Sequence, residues 1–256
     1  MSGDNLCRLT IQEAAPMLQR REISPVELTE AFLARIEELN QTLAAYVCVT
    51  SDLARTQAKQ AEQEIGNGQY RGPMHGVPIG LKDIYATKGI ATTASSHLHV
   101  NRIPDADAEA TARLAAAGAV LLGKLTTHEF AFGGPSWDLP TPPARNPWNP
   151  DHFTGGSSSG SGAAAAAGLA MGTLGSDTAG SIRMPAFFCG IAGLKPTYGR
   201  VSRRGVTPLA FSLDHCGPMT WSVADCALMM NAIAGYDPID PASANLPVPD
   251  HAATLD

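Results

Sequence analysis

The stretch TGGSSSGSGAAAAAGLAMGTLGSDTAGSIRMPAFFCGIAGLKPTYGR, Thr154 to Arg200, decides the reading of the whole chain. Two serine-glycine clusters, Gly155 to Gly162 and Gly180-Ser181, enclose an alanine-rich run and an Asp-Thr-Ala-Gly turn. Glycine loses more backbone entropy on ordering than any other residue, so such clusters point to positive φ or to close approach of the backbone to something else. Ala163 to Met171 is a strong helix former apart from Gly168, and its small side chains suit tight packing on a sheet. It reads as a buried connecting helix. Met171 to Leu174 then reads as a short strand, and Ser176 to Ser181 as a turn feeding a helix that starts at Ile182. Ser181 therefore stands at a turn-to-helix junction, where unpaired backbone N–H groups can hold a negatively charged oxygen as an oxyanion hole does. Serine is also a preferred N-cap, so both readings of Ser181 stand at this point.

Outward from that stretch, the chain alternates helices and strands. Thr10-x-x-Glu13 and Ser24-Pro25-x-Glu27 are capping boxes that start two helices, and the second buries Val26, Leu28, Phe32, Leu33, Ile36 and Leu39 at helical spacing. Leu43 to Val49 reads as a strand, Ser51 to Ile65 as an amphipathic helix, and Gly66-Asn-Gly68 as its stop. Asp107 to Ala117 forms the next helix, Ala119 to Gly123 a buried parallel strand, and Thr126-Thr-His-Glu129 caps a further short helix. From Gly133 to His152 the sequence has no periodicity and reads as a long ordered loop near the site. Val201 to Leu213 reads as strand and loop, and Ser222-x-x-Asp225 starts a helix through Ile233. Residues 236–256 are proline-rich and polar and read as a linker or truncated tail after a domain spanning 1–235.

Composition narrows the function classes. With 256 residues, 44% hydrophobic and 16% charged, the chain has material for a large α/β core. Its net charge of −6 comes without a basic run, so no direct nucleic-acid binding is expected. Five scattered cysteines, none in a Cys-x-x-Cys pair, read as reduced thiols. No apolar run approaches the roughly 20 residues that cross a bilayer, and MSGDNLCRLT lacks the charged-then-apolar pattern of a signal peptide. A cytoplasmic protein without membrane contact is the expectation. His97-x-His99 is the only histidine pair with metal-like spacing, it has no close acidic or cysteine partner, and no metal is assigned.

Several chemistries compete for the serines. Gly156-Ser-Ser-Ser-Gly160 matches G-x-S-x-G, which would make Ser158 a hydrolase nucleophile, yet Asp151-His-Phe-Thr before it is not the apolar strand that an elbow requires. Gly160-x-Gly162-x-x-Ala165 matches a loose dinucleotide fingerprint and fails on the same ground. No Gly-Lys-Ser/Thr completes a phosphate loop, and none of Lys59, Lys82, Lys88, Lys124 and Lys195 has a serine three residues before it. Lys82 is the unusual cation. It ends the apolar segment Val77 to Leu81, and it is either a snorkelling lysine or a desolvated one that serves as a neutral base.

Gly155-Gly-Ser-Ser-Ser-Gly160, Gly175-Ser-Asp-Thr-Ala-Gly-Ser-Ile-Arg183, the run Cys189 to Ser202 and Gly76-Val-Pro-Ile-Gly-Leu-Lys-Asp83 together resemble the amidase signature family, across nearly the whole chain. The resemblance implies an α/β fold, a mixed twisted β-sheet flanked by helices. It implies a Ser-Ser-Lys triad in which Ser181 is the nucleophile, Ser157 a bridging serine in a cis peptide, and Lys82 the base. Backbone N–H groups of Thr178, Ala179, Gly180 and Ser181 would form the oxyanion hole. That chemistry is coherent: a serine hydroxyl needs a group to take its proton, no histidine lies in the motif, and a neutral lysine acting through a second serine can substitute. Many members have two glycines where this chain has Ala179-Gly180, which places a methyl group beside the oxyanion hole. Members are near twice this length, so the resemblance implies the triad-bearing portion of such a protein. The function it implies is a serine amidohydrolase that cleaves a small-molecule carboxamide through an acyl-enzyme without a cofactor, with a homodimer among the assemblies it allows. The alternatives are the A subunit of an aminoacyl-tRNA amidotransferase and a truncated, non-catalytic binding subunit.

Overall fold

The computed structural model describes residues 3–253 and 255; the first two residues of the N-terminal stretch and Thr254 and Asp256 of the tail lie outside the described residues. Helix α1 (Gly3–Leu6) precedes α2 (Ile11–Gln19) and α3 (Pro25–Leu43). The Thr10 hydroxyl accepts the Glu13 N–H at 3.2 Å while the Glu13 carboxylate accepts the Thr10 N–H at 2.9 Å, a complete capping box. Ser24 caps α3 through the Val26 and Glu27 N–H groups, but its hydroxyl turns to Glu62 rather than to Glu27. At the other end Ala44 adopts φ 48°, and the Asn40 side chain bonds both backbone groups of Tyr46, fixing the turn into β1 (Tyr46–Val49).

The remaining elements are α4 (Ser51–Gly66), β2 (Pro78–Lys82), α5 (Glu109–Ala116), β3 (Val120–Leu125), the hairpin β4 (Arg145–Asn146) and β5 (Asn149–Phe153), α6 (Ser159–Ala166), β6 (Gly172–Asp177), α7 (Arg183–Cys189), β7 (Ala192–Gly193), β8 (His215–Thr220) and α8 (Val223–Ile233). Six strands form one mixed sheet in the order β1-β3-β2-β6-β8-β7. The three central strands β3, β2 and β6 run parallel; β1, β8 and β7 pair antiparallel to their neighbours. Every residue of β2, β3 and β6 is buried, as expected for strands covered on both faces. Helix α4 packs on β3, α6 crosses β2, β6 and β8, and α8 lies against β8, so helices clothe the sheet. No helix of the described residues is long and apolar enough to cross a membrane.

Several elements differ from the sequence reading. Helix α6 begins at Ser159 rather than Ala163, inside the serine-glycine run, because the Ser159 and Ser161 hydroxyls are satisfied by the Thr126 and Leu174 carbonyls. Strand β6 runs on to Asp177, since β8 pairs with it along its full length. No strand is expected at 215–220, where Gly217 and Pro218 break any pattern, yet β8 forms there. Pro218 is tolerated because its C=O, and hence its missing N–H, faces the short edge strand: Leu194 donates to that carbonyl at 3.0 Å. Thr126 does not cap a helix; its hydroxyl bonds the Ala44 carbonyl, and residues 129–131 form only a 3-10 turn with Phe130 at φ 47° and Ala131 at φ 62°. The expected loop from 133 closes into the β4–β5 hairpin at 145. Between 201 and 213 only isolated bridges form, Val201 with Ala234 and Val206 with Tyr85. Residues after 235 are tied back to the core: Asp237 accepts from Ser202 and Arg204, and Asp240 from the Arg203 N–H.

Gly160 shows why the run is glycine-rich. A Cβ there would run into the Ala45 carbonyl oxygen and lie 2.5 Å from the Thr126 nitrogen, both immovable backbone. Gly160→Ala is expected to cost about 2 kcal/mol or more by overpacking. Gly66→Ala, where a Cβ meets nothing within 4 Å, is expected to leave stability level or slightly raised. Urea unfolding of the two variants checks this; equal midpoints would contradict the packing account.

Candidate active site

Strand β2 delivers Lys82 into the interior with no solvent exposure, so this lysine does not snorkel. Its Nζ lies 2.7 Å from Ser157 Oγ and 2.9 Å from Ser176 Oγ. Burial pushes its pKa down to about 7, against weaker upward pulls from Cys216, Asp177 and Asp214. Near neutral pH this amine is available as a base.

Ser157 follows a cis peptide at Gly156. Its carbonyl accepts the His128 N–H at 3.1 Å, and the His128 ring packs so closely on Gly156 that a Cβ there would collide with it. The neighbouring Ser158 is fully enclosed: its hydroxyl donates to the Ser176 carbonyl and accepts the Ser176 N–H, both at 3.2 Å. A hydroxyl spent on stitching β6 cannot serve as an exposed elbow nucleophile. Gly160 and Gly162 are equally occupied, packing on Thr126 and Pro185, which leaves no cradle for a dinucleotide.

The turn from 178 to 181 is built by Asp177. This carboxylate has no exposed side-chain surface and accepts N–H groups from Gly180 at 2.8 Å, Ile182 at 3.1 Å and Arg183 at 3.3 Å. The Arg183 guanidinium adds a two-pronged contact at 3.0 and 2.9 Å. Burial pushes the Asp177 pKa up, but the Arg183 guanidinium and the three N–H groups override it and hold it at about 2. Asp177, not Ser181, thus satisfies the start of α7. Ser181 is partly exposed, its carbonyl accepts the Ser158 N–H at 3.2 Å, and its hydroxyl makes no hydrogen bond among the described residues.

Of the four N–H groups assigned to an oxyanion hole, that of Gly180 is held by Asp177, while those of Thr178, Ala179 and Ser181 have no acceptor among the described residues. Ala179 is exposed, so its methyl group faces outward at this rim. The structure therefore brings Lys82 and Ser157 into contact and places Ser181 at the surface of the same motif. It adds two residues to which the sequence alone assigns no role, Ser176 and Asp177. Both stand inside the quoted motif, and the signal available was chemical: a buried amine needs more than one polar partner, and an aspartate before a turn caps backbone N–H groups. Next to the turn a cleft of about 190 Å³ opens, walled by Ser176, Arg203, Asp214, His215, Phe211 and Ile239. Asp214 reaches the turn itself, accepting the Thr178 hydroxyl at 2.5 Å.

A mixed sheet with a buried lysine bonded to two serines, beside a glycine turn whose N–H groups of Thr178, Ala179 and Ser181 have no acceptor among the described residues, defines the class of α/β protein. Its relatives narrow the class. The Amidase family profile matches residues 27–255, and the chain belongs to the amidase signature family. It is 51% identical over 247 residues to the A subunit of glutamyl-tRNA(Gln) amidotransferase from Geobacter metallireducens, covering 96% of this chain and 51% of that protein. The corresponding protein of a Roseiflexus species is 49% identical over 250 residues, with 98% and 51% covered. Among solved structures, native peptide amidase from Stenotrophomonas maltophilia superposes with a TM-score of 0.88 at 40% identity, covering 94% of this chain and 50% of that one. A chain of a vestigial protein complex that reveals the evolutionary origins of an s-triazine catabolic enzyme gives 0.92 at 39% identity, covering 95% and 54%. The chain spans about half the length of the curated relatives it matches.

The Asp177 anchor carries a pH signature. Its folded pKa is depressed to about 2, so its stabilisation is present above the ordinary carboxylate range and is lost as pH falls toward 2. Asp177→Asn is expected to cost about 2 kcal/mol at pH 6, the scale of a charged hydrogen bond, and less at pH 3. Urea unfolding of both proteins at the two pH values measures this, and a pH-independent difference would refute the assignment.

Proposed function

We propose that the chain carries the catalytic centre of a serine amidase, with Ser181 as nucleophile, Ser157 as relay and Lys82 as base. The observation that carries the reading is the fully buried Lys82 amine, 2.7 Å from Ser157 and driven by burial to a pKa of about 7. In the reaction, Ser181 Oγ attacks the carboxamide carbon as its proton passes to Ser157 Oγ, whose own proton passes to Lys82 Nζ. The carbonyl oxygen becomes an oxyanion and is met by the free N–H groups of Thr178, Ala179 and Ser181, donors each worth roughly 3–4 kcal/mol in other hydrolases. On collapse the C–N bond breaks, and the Lys82 proton returns through Ser157 to the leaving nitrogen. Ammonia or an amine departs and an ester to Ser181 remains, which water hydrolyses by the same relay in reverse. In unliganded sites such hydrogen bonds are often incomplete and tighten with substrate, which accommodates the unpaired Ser181 hydroxyl.

The substrate reading is a small carboxamide held in the cleft beside Ser176 and Asp214. A second reading is favoured by the relatives at 51% identity: the A subunit of a glutamyl-tRNA amidotransferase, with glutamine as the amide and partner subunits around it. Ammonia release from a panel of simple carboxamides, set against glutamine, separates the two.

If the relay is as described, turnover requires neutral Lys82. The rate is expected to rise as pH passes through about 7 and then level off, because the active form is the deprotonated one. Ser181→Ala is expected to abolish turnover while leaving the circular dichroism spectrum unchanged. Amidase activity retained in a folded Ser181→Ala protein would reject the mechanism.

A further inference from the structure

A second buried lysine stands beside the first. Lys124 on β3 has no solvent exposure and is not in contact with either catalytic serine. In the parallel β2–β3 register Lys82 pairs with Leu125 and Lys124 with Leu81, which sets the two amines on opposite faces of the sheet. Lys124 Nζ donates to the Tyr85 carbonyl at 2.6 Å and to Thr92 Oγ1 at 2.7 Å, and lies 3.5 Å from the Asp83 carboxylate, also fully buried. Asp83 directly follows Lys82, and its other oxygen accepts the Thr93 N–H at 3.0 Å and hydroxyl at 2.5 Å.

The contacts converge on one turn. The Lys82 carbonyl accepts the Ile84 and Tyr85 N–H groups at 2.7 and 3.1 Å, so residues 82–85 fold back tightly at the end of β2. Tyr85 then reaches β6, donating its hydroxyl to the Gly175 carbonyl at 2.6 Å, one residue before the Ser176 that holds Lys82. Burying an ion pair brings little net stability compared with an apolar pair of the same shape. What the pair does that an apolar one cannot is grip the backbone at Tyr85 and the side chain at Asp83 together.

We propose that Lys124 is a positioning residue for Lys82: with Asp83 it clamps the turn after β2 and so holds the Lys82 amine against Ser157 and Ser176. The proposal rests on Lys82 being the base. Released from the clamp, the turn loosens, the amine loses its alignment and water reaches it. Since burial is what depresses the Lys82 pKa, hydration moves it back toward the ordinary lysine value. The titratable and charged groups facing Lys82 are Asp177, Asp214, Cys216 and His128, and those facing Lys124 are Asp83, Cys48 and Arg102.

The test is the rate at which a fluorophosphonate labels the 256-residue chain, measured from pH 5 to 10 on the wild type, Lys124→Met and the double variant Asp83→Asn/Lys124→Met. The double variant removes both charges at once, so it avoids the unpaired buried carboxylate that would unfold the single one. In folded variants the plateau rate is expected to fall at least tenfold and the pH midpoint to move upward from about 7. A folded double variant with wild-type plateau and midpoint overturns the positioning role alone. A wild type that shows no pH-dependent labelling overturns the base reading, and the positioning role with it.

Discussion

Taking the Lys82 amine out of water is the constraint from which the rest of the site follows. A shift from the ordinary value to about 7 means that burial disfavours the charged amine by roughly 5 kcal/mol more than water does. That penalty exists only while the amine stays enclosed by β2, β6 and the segment before α6, where two hydroxyls satisfy it. On the proposed mechanism the same enclosure supplies both the base and its orientation.

Close packing is reached with small residues. Gly156 admits the His128 ring, Gly160 admits the backbone of Ala45 and Thr126, and the serines of α6 return the hydrogen bonds that apolar residues could not. Asp177 performs a parallel service on the other side of Ser181. By holding three N–H groups and the Arg183 guanidinium it fixes the turn, while three further N–H groups of that turn have no acceptor among the described residues. On the proposed mechanism one motif thus contains both the rigid frame and the donors for a developing oxyanion.

What was legible in the sequence was local. Thr10 and Ser24 declare their helices because a cap acts within four residues, and the helical spacing of Leu28, Phe32, Leu33 and Ile36 correctly marks a buried face. The Lys82, Ser157 and Ser181 motifs were visible as a family resemblance, and Lys82 as an oddity on chemical grounds. Less was visible where tertiary contacts decide. Strand β8 has Gly217 and Pro218 in its middle and is held by β6 rather than by propensity. The start of α6 depends on carbonyls supplied by Thr126 and Leu174. Lys124 looks like any lysine after an apolar strand until the fold places Asp83, Tyr85 and Thr92 around it.

The central claim is that a buried neutral Lys82, acting through Ser157, activates Ser181. Its most direct test is peptide mapping of the fluorophosphonate adduct on the wild type and on Lys82→Ala, once circular dichroism shows both are folded. The account predicts one adduct, on Ser181, that disappears without Lys82. An adduct on Ser158, or a Ser181 adduct that forms equally well without Lys82, would contradict it.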